Sequence, residues 1–265
     1  MNIVVCIKQV PDTAGGVKFK PDGTLDRGAM LTIMNPDDKA GLEAALRLKD
    51  QYEGTTVTVV TMGLPKAEDV LIEAIAMGAD KGILVTDRRL GGADTWATSS
   101  TIAAAIRNLD YDLIITGRQA IDGDTAQVGP QISEHLDIPV ISYAQDIKVE
   151  GDSVIVNRQY EDRHHMLKAK MPCLVTALSE LNDPRYMTPG KIFDAIDNKD
   201  EYITVWGRDD LKDLDDANIG LAGSPTKIAK ASDKVKKGAG EKVALDTAEE
   251  SVDYIMDKLL TKHII

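Results

Sequence analysis

Four short runs rich in apolar and β-branched residues, at 3–7, 56–61, 82–86 and 111–116, are each followed by a turn and then by a stretch with helical spacing. The first, Ile3-Val4-Val5-Cys6-Ile7, is continuously apolar, as expected of a strand covered on both faces. Strands alternating with helices at this spacing predict an α/β fold with a mostly parallel sheet and helices on both faces. Ligands of such sheets bind beyond the carboxyl ends of the strands, so the loops at 6–9, 34–38, 61–64 and 117–129 gather on one edge.

Local signals divide the chain further. Residues 17–26 read as a small surface hairpin around Pro21-Asp22-Gly23. Asn35-Pro36 reads as an N-cap followed by proline at the first helical position, and Gly78 as the stop of a helix over 66–77. Asp94 caps a helix expected over 95–109. Residues 138–141 read as a fifth strand. The pattern then changes: 147–149 and 153–156 form a hairpin continuing through 158–160 towards 174–177, read as antiparallel additions to the sheet. Adjacent His164 and His165 point to opposite sides of a strand, so no metal site is expected. The division expected is an α/β domain over 1–205 and, over 206–265, an extended arm ending in a helix with apolar positions at Val252, Ile255, Met256 and Leu259. That helix docks either on another subunit or on its own chain.

The stretch from Tyr111 to Pro130 is a buried strand, a polar glycine loop and the first turn of a helix expected over 125–136. This geometry presents backbone N–H groups to an anion, and a phosphate is the first candidate. The alternative is that Gly117 and Gly123 merely permit a tight turn. Asp124 and Gln127 have the spacing of a capping pair. With a formal charge of -12 the chain has no general electrostatic grip on nucleic acid or anionic membrane, so an anionic ligand must be held locally. Cys6 and Cys173 read as buried thiols of a reducing compartment, and no signal or membrane-spanning run is evident, so the expected location is cytoplasmic with no membrane insertion. Dinucleotide fingerprint, phosphate loop, nucleophile elbow and acid/base pairs are all missing from the sequence. A nucleotide-type site without catalytic side chains suits a cofactor that performs the chemistry itself. The second unusual stretch, Leu181-Asn182-Asp183-Pro184-Arg185-Tyr186-Met187-Thr188-Pro189, carries apolar side chains in an irregular loop that packs back on the domain or meets a partner.

These residues also carry a resemblance. Val5-Cys6-Ile7-Lys8-Gln9-Val10, Met34-Asn35-Pro36, Ala76-Met77-Gly78-Ala79-Asp80, Gly117-Arg118-Gln119-Ala120-Ile121-Asp122-Gly123-Asp124-Thr125-Ala126-Gln127 and the 181–189 stretch together resemble the β subunits of electron transfer flavoproteins, in matched order over nearly the whole chain. The resemblance implies a Rossmann-like, adenine-nucleotide-binding sheet and a heterodimer with an FAD-holding α subunit. It places nucleotide contacts on Cys6, Asn35, Pro36, Asp37, Asp38, Met62, Gly63 and Gly117 through Val128, namely Gly117, Arg118, Gln119, Ala120, Ile121, Asp122, Gly123, Asp124, Thr125, Ala126, Gln127 and Val128. Within these, Asp122 is assigned to the ribose and the amides from Gly123 to Val128 to the phosphate. The loop Asp87-Arg88-Arg89-Leu90-Gly91-Gly92-Ala93-Asp94-Thr95-Trp96-Ala97-Thr98-Ser99 resembles the electron-bifurcating branch, in which the ligand is FAD accepting hydride from NADH, with Asp94, Thr95, Thr98 and Ser99 along the flavin. The implied acceptors are an acyl-CoA dehydrogenase, docked at Leu181, Pro184, Tyr186 and Met187, and a ferredoxin or flavodoxin. The alternatives are a housekeeping β subunit holding AMP, or a stand-alone nucleotide-binding sensor. Unlike housekeeping relatives, the chain follows the 181–189 loop with an acidic and apolar run, Ile192-Phe193-Asp194-Ala195-Ile196-Asp197.

Overall fold

The computed structural model describes residues 1–12, 31–226, 238 and 240–265; the hairpin expected at 17–26 lies outside them, as does most of the arm over 220–240. The chain divides into two compact units, Met1–Ala229 and Lys230–Ile265. In chain order the first unit contains β1 (Asn2–Cys6), β2 (Gln9–Pro11), β3 (Thr32–Met34), α1 (Pro36–Gln51), β4 (Thr56–Met62), α2 (Glu68–Met77), β5 (Lys81–Val85), α3 (Thr95–Ile106) and β6 (Leu113–Gly117). It continues with α4 (Val128–Leu136), β7 (Val140–Glu150), β8 (Ser153–Tyr160), β9 (Arg163–Lys170), β10 (Cys173–Ala177), α5 (Pro189–Asp197), α6 (Lys199–Tyr202) and β11 (Ile203–Trp206).

Among the described residues nine strands form one sheet in the order β11-β5-β4-β1-β6-β10-β7-β8-β9. Every pairing from β11 to β7 is parallel, while β8 and β9 are antiparallel additions. β2 and β3 form a separate antiparallel pair. The period of two along β1 sorts its side chains to opposite faces. Ile3 and Val5 join Leu42, Leu46, Leu71, Leu113 and Ile115 in a core built on α1 and α2. Val4 and Cys6 join Ile106, Ile114, Ile132 and Leu174 in a second core with α3 and α4. Each fully buried aliphatic side chain contributes about 1.5–3 kcal/mol.

Three sequence expectations are corrected. The run 173–177 is no antiparallel addition: β10 lies inside the sheet, parallel to both β6 and β7, and all five of its residues are buried. Continuous burial is what a parallel interior strand requires, and the β8–β9 arm is the detour that returns the chain there. The helix expected from 125 begins at Val128, and the one expected to 109 ends at Ile106. Beyond β11, Leu211, Leu214 and Ile219 are buried against the second core.

The second unit contains α7 (Ala248–Thr261), whose N-cap Thr247 accepts from the Glu250 amide. Its Val252, Ile255, Met256 and Leu260 are exposed. His164 and His165 lie on β9 opposite Gln159 and Arg158. Among the described residues no helix is long and apolar enough to cross a membrane.

Candidate functional site

The carboxyl ends of β1 and β6 and the start of α1 are joined by two buried side chains. Asp38 Oδ1 accepts from the Gly117 amide at 2.9 Å and Oδ2 accepts from the Lys8 amide at 2.8 Å. A Cβ at position 117 would lie 2.2 Å from Asp38 Oδ1 and 2.8 Å from the Asp38 nitrogen, so only glycine fits. Burial pushes the Asp38 carboxyl up to about 7, against the donors of Asn35, Lys8 and Gly117 that favour its ionised form. Asn35 makes no side-chain cap on α1, which corrects the reading of Asn35-Pro36, although Pro36 does stand at the first helical position. Its Nδ2 instead donates to Gln119 O at 2.8 Å, and its Oδ1 accepts from the Ile121 amide at 3.1 Å. Tertiary pairing with the glycine loop outcompetes local capping. Asp37 is buried with its Oδ2 3.4 Å from Arg118 Nε, and burial raises its pKa against the pull of Arg118.

The loop from Gln119 to Gln127 folds back on itself. The amides of Gly123 and Asp124 both donate to Ala120 O, at 3.2 and 2.9 Å. Asp124 and Ala126 adopt left-handed φ values of 49° and 53°. The expected capping pair does not form: Asp124 Oδ1 accepts from Gln119 Nε2 at 3.0 Å, and α4 starts after Gln127 with no side-chain cap. The amides of Gly123 and Asp124 are thus engaged, while those of Thr125, Ala126, Gln127, Val128 and Gly129 meet no acceptor among the described residues. The start of this nine-residue helix therefore keeps donors free, the arrangement in which helix starts attract anions. Gly129 lets that start approach the sheet, since a Cβ there would lie 2.6 Å from Thr116 Oγ1. Asp122, expected at a ribose, forms an ion pair with Lys8 Nζ at 2.7 Å.

The start of α3 differs. Asp94 Oδ1 accepts from the Ala97 amide at 3.0 Å and Oδ2 from the Thr226 amide at 2.8 Å, and its own amide donates to Ser224 Oγ. Burial opposes ionisation of Asp94, but these donors outweigh it and hold its pKa below the usual carboxylate value. Asp94 is therefore a cap and a clip rather than a free ligand group. Thr95 Oγ1 donates to Gln127 Oε1 at 3.0 Å, joining the α3 start to the glycine loop, and Thr98 lies in the same first turn. Ser99 is buried, its Oγ donates to Trp96 O and lies 3.2 Å from His135 Nε2, and the half-exposed Trp96 packs edge-on to that imidazole. The Cys6 thiol is buried, and burial together with the Asp38 charge pushes it up to about 12. Met62 packs against the second core, and the Gly63 amide donates to Val85 O.

The 181–187 segment is braced on α1. Arg185 pairs with Glu43 at 2.8 Å and Asp50 at 2.7 Å, and Asn182 Nδ2 donates to Ala40 O at 3.0 Å. Leu181 is half-buried against the first core and Pro184 is half-buried; Met187 is exposed and Tyr186 is 96% exposed. Lys8 and the Glu43–Arg185 pair were not foreseen, because nothing local in the sequence marks a charge whose partner lies more than 100 residues away.

Fold and loop geometry together define an α/β protein with a glycine loop and an uncapped helix start on the carboxyl edge of a parallel sheet. Residues 23–201 match the electron transfer flavoprotein domain. The chain is 53% identical to the electron transfer flavoprotein subunit beta of Clostridium acetobutylicum over 266 residues, covering all of both chains. It is 48% identical, again over the full length of both, to the caffeyl-CoA reductase-Etf complex subunit CarD of Acetobacterium woodii and to the acryloyl-CoA reductase electron transfer subunit gamma of Anaerotignum propionicum. The chain belongs to the electron transfer flavoprotein family, as a β subunit.

Proposed function

We propose that this β subunit holds FAD on the 117–129 loop cluster, and that its complex oxidises NADH and divides the electrons between two acceptors. One is an acyl-CoA dehydrogenase, reached through an α-subunit FAD, and the other a low-potential ferredoxin or flavodoxin. The observation that carries this reading is the bond from Thr95 Oγ1 to Gln127 Oε1, which sets the α3 start beside the anion seat and so offers a wall for a group extending beyond the phosphate. Bound there, FAD would supply hydride acceptance and single-electron release; the chain's own residues hold and orient it. The amides from Thr125 to Gly129 are suited to the phosphate, and Gly117 and Gly129 allow backbone to approach it closely. Two of the similar proteins are named for enzymes acting on caffeyl-CoA and acryloyl-CoA, which supports an acyl-CoA dehydrogenase-type partner. Tyr186 and Met187 are the exposed groups suited to meet it, and the apolar face of α7 is suited to dock on the α subunit.

A housekeeping role with structural AMP is the competing reading, favoured by open amides from Thr125 to Gly129 that need only the one phosphate an adenylate carries. Counting flavin in the purified heterodimer and titrating it anaerobically with NADH separates the two. Two FADs, both reduced by NADH, are expected; a single FAD with AMP and no reduction by NADH would sink the bifurcating assignment.

A further inference from the structure

A cavity of about 380 Å³ opens beside the carboxyl ends of β6 and β10, lined by Arg118, Tyr143, Arg158, Gln159, Tyr160 and Glu161. The Arg118 amide donates to Ala177 O and the Tyr143 amide to Thr176 Oγ1, which ties two of its walls to β10. Only Arg118 is shared with the glycine loop.

Two features set this cavity apart. The first is unused cationic donor capacity: Arg158 Nε and Arg118 Nε are both buried without a hydrogen-bond partner. Leaving a buried donor of a charged group unpaired costs a few kcal/mol, so such donors are normally satisfied. Asp37 Oδ2, the carboxylate oxygen nearest Arg118, is itself without a hydrogen bond. The second is rigidity. The Arg158 guanidinium carbon lies 6.0 Å from the Tyr143 ring centroid and 5.6 Å from that of Tyr160, and Tyr160 stacks on His165 at 5.3 Å. Tyr143 holds a left-handed φ of 62°, a conformation that bulky residues rarely adopt and that concentrates at ligand sites. A guanidinium fork braced by two aromatic rings matches the planar, two-pronged acceptor geometry of carboxylate and phosphate groups.

We infer that this cavity is an oxyanion site, in which Arg158 and Arg118 bind a carboxylate or phosphate group flanked by the rings of Tyr143 and Tyr160. The chemistry is the same whether the group belongs to a free small molecule or is carried by the α subunit. To separate these, the full chain, saturated with AMP to fill the glycine loop, is titrated calorimetrically with inorganic pyrophosphate. For a free ligand, the wild type binds pyrophosphate, R158Q weakens binding by about tenfold or more, and AMP affinity does not change. If the wild type takes no pyrophosphate but R158Q weakens association with the α subunit by about tenfold at an unchanged melting temperature, the α subunit carries the group. Arg158-independent pyrophosphate binding, or no binding, with unchanged subunit association overturns the inference. Should R158Q fail to fold, R158K keeps the charge and loses the fork: roughly threefold weaker binding or association is expected, and none would overturn the inference. Failure of AMP to bind would count against the nucleotide seat, while the Arg158 comparison would still be readable.

Discussion

The same Asp-Thr pair stands near the starts of α3 and α4, Asp94-Thr95 at the first and Asp124-Thr125 just before the second, and both helices contribute to one core on the same face of the sheet. At α3 the aspartate sits at the N-cap with both carboxylate oxygens accepting amides, one from Ala97 within the helix and one from Thr226 across the fold. At α4 the aspartate is held in a left-handed conformation four residues before the helix, bonded to Gln119, and the helix starts bare. A carboxylate at a helix start satisfies the orphan amides and repels a second anion. Capping therefore closes the α3 start, while the displaced aspartate leaves the α4 start open. What distinguishes structure from site here is where the backbone places one carboxylate.

The comparison can be broken most directly at the glycine that admits α1's carboxylate to the open loop. G117A drives a Cβ into Asp38, and it should cost on the order of 3 kcal/mol and strip the chain of nucleotide. Thermal unfolding and analysis of the released nucleotide read both; a full complement of nucleotide in G117A would refute the seat. Next in size, D94A removes a cap and a tertiary clip and should destabilise by about 1–2 kcal/mol, whereas D124A, which caps nothing, should stay within about 0.5 kcal/mol. Equal losses in urea denaturation would erase the distinction between the two helix starts.

Acidity sharpens the contrast, because Asp38, which braces the glycine loop, and Asp94, which caps α3, are shifted in opposite directions. Asp38, raised to about 7 by burial, binds more protons folded than unfolded between the ordinary carboxylate range and about 7, so its contribution to stability grows as pH falls through that window. Asp94 is lowered, so its contribution is complete above the ordinary carboxylate pKa and is lost as pH falls through its folded value. Melting curves from pH 8 to 3, a range spanning both windows, should lose the first slope in D38N and the second in D94N; a D38N profile identical to wild type would contradict the buried charge. The smallest effect on stability is expected far from either helix start. Y186A should leave the melting temperature within about 1 °C while slowing electron transfer to the dehydrogenase, because the ring is almost wholly exposed. L181A, by contrast, opens a hole against the first core and should cost about 2 kcal/mol, so a slow L181A alone would not identify a docking residue.

Much of this was legible in the residues. The apolar runs at 3–7, 56–61, 82–86 and 111–116 became parallel neighbours in the sheet, and Gly78, with φ of 132°, ends α2 as expected. Of the loops expected on one edge, 6–9, 34–38 and 117–129 meet there through Asn35 and Asp38. The run 173–177 was misread because sequence shows proximity to the β8–β9 arm but not the gap between β6 and β7 that the strand fills. Asn35 and Asp124 were both read as caps because capping is a local pattern, and both were diverted by partners that only folding brings near: Gln119 and Ile121 for Asn35, and the loop closing on Ala120 for Asp124.

By itself, then, the sequence determined the α/β alternation and the edge on which the loops gather, because hydrophobic period and glycine placement act over a few residues and need no distant partner, while its motifs carried the family by resemblance. Tertiary structure alone decided which Asp-Thr pair caps a helix and which leaves it open, that Asp122 answers Lys8, and that Arg118 and Arg158 share a cavity. Most of those outcomes join groups far apart in sequence, 114 residues for Lys8 and Asp122 and 132 for Asp94 and Thr226, and such pairings are settled only by the packed chain.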